Sequence, residues 1–331
     1  MTTSQPSLAT PFSKHVGIDV PLICGAMYPC SNVELIAAVS EAGGIGIVQP
    51  ISLIYVYKLD LRQGIRKIRA LTSRPIGFNA IVERSSRLYE QRMRAWVDIA
   101  IEEGLRFFIT ALGNPRWVVD KVHAVGGMVY HDVTERRFAD KALDGGVDGL
   151  ICVNNRAGGH AGRLTPEVLY DDLAPLGVPL IGAGGVGSER DFVRLLGLGY
   201  AGAQLGTRFI ATSECAAHAD YKQAILAAQE EDIVLTDRIS GVPVSVIKTP
   251  YIEAVGTRAG PIARWLLRHP RTKHWVRMVY TLTSAMRLKR ASIEGASYKD
   301  FFQAGKSVAG IERIEPAGEI VRRFADAVRR A

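Results

Sequence analysis

The strongest constraint on this chain is a rhythm. Between residues 20 and 205, short apolar runs alternate with longer stretches whose apolar residues fall three and four apart, until eight runs have passed. The runs cover 20–24, 45–48, 76–79, 106–110, 128–132, 149–153, 180–183 and 203–205. The stretches between them cover 32–42, 61–71, 86–103, 115–124, 134–144, 166–172 and 189–198. Asn32, Asn114 with Pro115, and Thr134 read as helix starts, and the glycines of 41–44 and 144–146 read as helix ends. Runs this short and this apolar are strands buried on both faces. Helices between them demand a parallel sheet with right-handed crossovers, and eight such units close most economically into a (β/α)8 TIM barrel. A doubly wound open sheet is the alternative, but no Gly-x-Gly-x-x-Gly follows the first run.

The rhythm stops near Ala228, although the chain continues to residue 331. We therefore expect a barrel built from residues 1–228 and 296–331, interrupted by a basic C-terminal insertion or lid at 229–295. A helical tail at 316–329 returns to the barrel. Charge supports the division. The formal net charge is +8, yet residues 254–293 contain nine Lys and Arg and no Asp or Glu, leaving 32 basic and 33 acidic groups elsewhere. That stretch also carries Trp265, Trp275, Met278, Tyr280 and Met286, so it is amphipathic as well as basic. It reads as a solvated cap, a site for an anionic substrate or cofactor group, or a surface for anionic lipid. A near-neutral remainder without a helix-turn-helix, RRM or zinc-finger pattern argues against nucleic acid.

Cys24, Cys30, Cys152 and Cys215 are scattered without a metal-type spacing, so no metal site is expected. Residues 1–12 are polar, with no signal-peptide pattern, and no apolar run is long enough to span a bilayer. The expectation is a reduced, cytoplasmic protein. A homodimer and a weak membrane-surface contact through 264–290 are left open.

In a TIM barrel the working residues lie at the C-terminal ends of the strands. Two glycine-rich turns fall there, Gly182-Ala-Gly-Gly after the seventh run and Gly206-Thr207 after the eighth. That is where such barrels hold phosphate, and Gly184, Gly185, Gly206 and Thr207 form the expected cradle. Either turn alone would read as an ordinary helix cap. Together they favour a cofactor with one terminal phosphate, FMN above all. Small residues after the first run, Gly25 and Ala26, would admit a flat ring with Met27 beside it. Asn79, ending the third run, offers an amide to a heterocycle edge.

A third glycine-rich loop, Ala157-Gly-Gly-His-Ala-Gly162, follows the sixth run. Alone, His160 would pass for a loop histidine; opposite a phosphate-anchored ring it reads as a catalytic base. His131 and Asp132, at the end of the fifth run, are further candidates. His15, His123, His218, His269 and His274 read as structural or exposed.

These motifs, with Glu41-Ala-Gly-Gly44, Gly77-Phe-Asn79, Leu205-Gly-Thr-Arg-Phe-Ile-Ala-Thr212 and Ala304-Gly-Lys-Ser-Val-Ala-Gly310, resemble the nitronate monooxygenase family, FMN-dependent barrel flavoproteins also called 2-nitropropane dioxygenase-like. The resemblance runs from Pro21 to about Leu226 and resumes at Ala304. It implies oxidation of alkyl nitronates or nitroalkanes with O2, with His160 as the base. It also implies flavin contacts from Gly25, Ala26, Met27, Asn79, Gly158, Ala183, Gly184, Gly185, Gly206 and Thr207. Where relatives carry a Gln-Gly pair and an acid before the histidine loop, this chain has Val153, Asn154, Asn155 and Arg156. Where some carry a lysine, it has Asp132, an exchange that would weaken attraction for anionic flavin or substrate unless Arg156 compensates. The alternative implied by the wider superfamily is an NAD(P)H-dependent reductase of a quinone or an enoyl-acyl thioester.

Overall fold

In a computed structural model, which describes residues 5–83, 87–238, 243–258, 286, 288–295 and 301–331, the apolar runs form eight parallel strands closed into a TIM barrel. The strands are β1 (Leu22–Cys24), β2 (Ile45–Val48), β3 (Ile76–Ile81), β4 (Phe107–Ala111), β5 (Met128–Val133), β6 (Gly149–Val153), β7 (Leu180–Ala183) and β8 (Gly202–Leu205). Strand β8 pairs back onto β1 through Gln204 and Ile23. The connecting helices are α2 (Val33–Glu41), α3 (Leu61–Leu71), α4 (Arg87–Glu102), α5 (Arg116–His123), α6 (Arg136–Asp144), α7 (Pro166–Leu173) and α8 (Glu189–Gly197).

Period-two alternation divides each strand between two cores. Ile23, Ile45, Ile47, Phe107, Ile109, Tyr130, Ile151 and Ile181 fill the barrel interior. Leu22, Val48, Phe78, Phe108, Val129, Leu150 and Cys152 face the helix layer. The lower end of the barrel is closed by α1 (Pro11–Val16), where the reading of residues 1–12 as a polar tail had no element. Thr10 and Ser13 cap its first turn reciprocally and Gly17 ends it with φ 73°. Fully buried Phe12 then sits with its ring centroid 5.7 Å from Phe107 and 5.6 Å from Tyr130.

After β8 come α9 (Thr207–Ile210) and α10 (Ala219–Ala227), then an antiparallel hairpin of β9 (Ile233–Thr236) and β10 (Val244–Ile247), and α11 (Pro250–Val255). The hairpin docks on the barrel's upper end: the Ser245 N–H donates to the Gly159 carbonyl at 2.7 Å, and the Ile247 N–H to that of Phe302 at 2.8 Å. Of the basic stretch, Arg264, Arg268, Arg271, Lys273, Arg277 and Arg287 lie outside the described residues. The C-terminal helix α12 (Ala317–Arg330) takes the eighth helical position, packing Ile320, Val321, Phe324 and Val328 against α8 and α2. Phe324 and Phe192 place their ring centroids 5.5 Å apart.

Among the described residues, no helix is long and apolar enough to cross a membrane, and no group of His, Cys, Asp and Glu could hold a metal ion. All four cysteines are free thiols buried in the fold. A thiol reagent such as Ellman's should therefore titrate none within minutes in the native protein and all four after unfolding. Rapid native reaction of any one would contradict this packing.

Candidate functional site

The upper layer of the barrel interior is polar. Strand register turns Asn79 inward beside Ile109, Asp132 beside Ile151, and Gln204 beside Ile23. Gln49 follows inward-facing Ile47 by two residues and is nearly fully buried. Gln49 Oε1, Asp132 Oδ1 and Gln204 Oε1 are buried without a hydrogen-bond partner. Orphaned acceptors cost free energy, and here they cluster on the floor of the end that carries function in this fold. The Gln204 side chain lies across Gly25, where a β-carbon would come within 3.0 Å of its Cγ.

Two loops rise beside this floor. Gly184 and Gly185, just past β7, have φ of 117° and 85°, values open to glycine and strained for other residues. A β-carbon on Gly184 would lie 2.5 Å from the Ala157 nitrogen and from Asn154 Oδ1, so the cradle exists only because the side chain is absent. Across from it, α9 opens on Gly206 and buried Thr207, whose Oγ1 accepts from the Gly305 N–H at 3.0 Å. The segment around Gly305, which the sequence offered as a family motif without a role for any one residue, is a wall beside both loops. The Lys306 N–H donates to the Arg156 carbonyl at 2.9 Å, and a β-carbon on Gly187 would meet the Ser307 carbonyl at 2.1 Å. Its signal was the glycine-flanked run from Gly305 to Gly310.

His160 stands at the tip of a loop closed at its neck by the Gly162 N–H donating to the Asn154 carbonyl at 3.1 Å. Asn154 is the hub. Fully buried, it takes the Arg156 N–H at 2.8 Å on its side-chain oxygen and donates from Nδ2 to the Gly184 carbonyl at 3.0 Å. The histidine loop and the glycine cradle are thereby one unit. His160 is reachable by water, yet enough protein surrounds it to lower its pKa by desolvation.

The remaining candidates separate. His131 faces the helix layer, opposite in sense to Asp132, with Nδ1 2.8 Å from Thr110 Oγ1, and burial pushes its pKa down to about 4. Asp132 faces the floor, where burial pushes its carboxyl up to about 7. Arg156 does not reach toward it. Its guanidinium forms a two-pronged pair with Glu230, at 2.8 and 2.6 Å, which Lys306 joins at 3.3 Å. Hydrogen bonding from Arg156 leads the effects that hold the Glu230 carboxyl below its ordinary value. Compensation of Asp132 by Arg156 is therefore not what the geometry shows. Gly158 packs on the returning segment, a β-carbon there falling 2.9 Å from the Gly305 nitrogen. Ala26 and Ala183 border the interior core, and Met27 lies beside Gly206.

A cleft of about 180 Å³ is lined by Arg156, Gly184, Gly185 and Lys306. A larger one, about 580 Å³, opens at the opposite end of the barrel among Thr10, His15, Tyr170 and Tyr200 and contains none of these groups. Chemistry belongs to the former end. Glycine cradles and an orphaned polar floor fit a phosphate-bearing flat heterocycle, and the loop that carries His160 is bonded to the cradle through Asn154.

Several known proteins are similar to this chain over nearly its whole length. The chain is 27% identical to the (3aS,4S,5R,7aS)-5-hydroxy-7a-methyl-1-oxo-octahydro-1H-indene-4-carboxyl-CoA dehydrogenase of Mycobacterium tuberculosis, over 92% of this chain and 91% of the relative. It is 26% identical to the nitronate monooxygenase of Pseudomonas aeruginosa, over 96% and 99% of the two chains. FabK from Thermotoga maritima superposes with a TM-score of 0.80 at 27% identity, covering 98% of this chain and 97% of that one. The family model for nitronate monooxygenase matches residues 9–326. With the barrel, the cradle and the histidine loop all inside that span, the chain is an oxidoreductase that belongs to the nitronate monooxygenase family.

Proposed function

We propose that the protein is an FMN-dependent monooxygenase of carbon acids, acting on alkyl nitronates and their parent nitroalkanes with O2. The observation that carries this reading is the 3.0 Å bond from Asn154 Nδ2 to the Gly184 carbonyl, which locks the histidine loop and the phosphate cradle at a fixed distance. Gly184, Gly185, Gly206 and Thr207 would hold the phosphate. Gly25, Ala26, Met27, Asn79, Gly158 and Ala183 would line the ring. FMN, when bound, supplies the two-electron acceptor that O2 reoxidises. His160, neutral at physiological pH because desolvation lowers its pKa, takes the proton from the carbon next to the nitro group. The β9–β10 hairpin, bonded to the histidine loop through Ser245, limits water at that carbon.

A second reading has a specific observation behind it. The Mycobacterium relative that covers nine-tenths of both chains is named for a CoA thioester, and residues 254–293 carry nine cations and no acid, a composition suited to the phosphates of CoA. The same base would then serve an acyl thioester, with NAD(P)H as a further redox partner. Anaerobic mixing of the flavin-loaded protein with a nitronate, an acyl-CoA and NAD(P)H in parallel decides. Bleaching of the flavin absorbance by the nitronate alone supports the first reading. Bleaching by the acyl-CoA or NAD(P)H, with none by the nitronate, overturns it.

A further inference from the structure

Three orphaned oxygens at one end of a barrel are an electrostatic statement about what lies on them. Gln49 and Gln204 are neutral amides and can turn to present a donor. Asp132 can donate only if it carries a proton. Its surroundings favour that form. Burial raises its pKa, and no cation contributes to lowering it. On β6 the residue beside it is the apolar Ile151. The Cys152 thiol, on the helix-layer side of β6, is pushed up by burial and by Asp132 itself, so it stays uncharged. His131 points to the other face of β5 and is neutral near pH 7. His160, in the loop after β6, has a pKa below the ordinary imidazole value. Arg156, a cation of that loop, is paired with Glu230, and Thr110 on β4 faces outward beside His131.

We infer that Asp132 is a cofactor-contact residue that works as a neutral carboxylic acid: it donates a hydrogen bond from the barrel floor to the bound flavin ring, so that FMN binding is linked to retention of one proton on this side chain. This rests on the FMN reading above. A flat ring laid over the carboxyl removes what water still reaches it and supplies acceptor atoms, and both effects favour the protonated form. Linkage then runs in one direction. A group whose pKa rises on binding gives tightest binding where it is already protonated, and affinity falls as pH climbs through the free-protein value. That value is about 7. Above it the Kd for FMN should climb by up to tenfold per pH unit until the bound form also loses its proton.

The test is equilibrium dialysis of the full chain against FMN from pH 7 to 9. In this window the phosphate is about nine-tenths or more dianionic, its second pKa being near 6, and the pH stays above the lowered pKa values of His131 and His160. The expected result is a Kd that rises at least tenfold between pH 7 and 9 in the natural protein. Asp132→Asn, which keeps the neutral shape and a donor, should hold a flat Kd near the natural low-pH value. A flat natural profile, or an unchanged slope in Asp132→Asn, overturns the inference. If the Asn variant fails to melt cooperatively, the natural profile alone decides, and a flat one is negative. Absence of FMN binding at every pH removes the cofactor reading and this inference together, whereas binding without a slope removes only this one.

Discussion

Replacing His160 with alanine should lower kcat/KM for a neutral nitroalkane by about 10²–10⁴-fold, the usual contribution of a positioned general base. The same variant should oxidise the preformed nitronate at nearly the natural rate, because that substrate has already lost its proton. This contrast separates a base from a residue that merely shapes the pocket, which would slow both substrates alike. The pH profile gives a second check. Desolvation lowers the pKa of His160, so the neutral, proton-accepting form persists below the ordinary value of 6.5, and the acidic limb of kcat/KM should fall below that value. In His160→Ala the limb should vanish. Steady-state kinetics on both substrates from pH 5 to 9 would measure it, and a loss of less than about threefold on the neutral nitroalkane would remove His160 from the base role.

That His160 was visible in the sequence at all follows from where it lies. A glycine-rich loop after a strand needs no tertiary knowledge to be placed at the C-terminal end of a barrel, and the cradle at Gly184 and Gly206 was legible on the same ground. The strands were legible because interior parallel strands must be apolar on both faces, so β2, β6 and β7 begin and end where their runs do. Other features depend on partners far away in the chain. The floor residue Gln204 is a single polar letter near the end of β8, and only its register against Ile23 of β1 shows it facing inward, while Gln49 is one more polar letter just past β2. His131 and Asp132 are neighbours in sequence and opposites in space, since one step along a strand changes the core a side chain meets. The π-helical turn Ser52–Val56 has no apolar period to announce it. Helix α1 was lost because its signal, a reciprocal Thr10–Ser13 cap around one buried Phe12, is too short to register as periodicity.

Glu315→Ala should destabilise the fold by about 3–5 kcal/mol, the cost of breaking a buried ion pair from one side. The carboxylate, 5% exposed, lies 3.2 Å from the Arg208 guanidinium, itself 1% exposed, and takes a two-pronged contact from Arg323 at 2.7 and 2.8 Å, with Arg313 at 3.3 Å. Burial pulls the pKa of Arg208 down to about 10, with Glu315 opposing that pull. The arginine thus stays charged at neutral pH, and without Glu315 it keeps hydrogen bonds to the Ala211 and Arg313 carbonyls, at 3.2 and 3.1 Å. Burial raises the Glu315 pKa, but Arg323, Arg208 and Arg313 outweigh it, and the net value is depressed. A depressed carboxylate contributes stability that is present above its unfolded value of about 4.5 and is lost as pH falls through the lower folded one. The destabilisation should therefore be full at pH 7 and shrink toward pH 3, in urea unfolding followed by far-UV circular dichroism. The loss matters for the site as well as for the fold. Arg208 is the residue after Thr207, and Glu315 precedes α12, so this pair fastens the cradle after β8 to the returning C-terminal helix. Against a typical total stability of roughly 5–15 kcal/mol, losing that fastening should both lower the midpoint and loosen FMN at temperatures where the chain is still folded. A cost below about 1 kcal/mol at pH 7 would show that the cradle is held by packing alone.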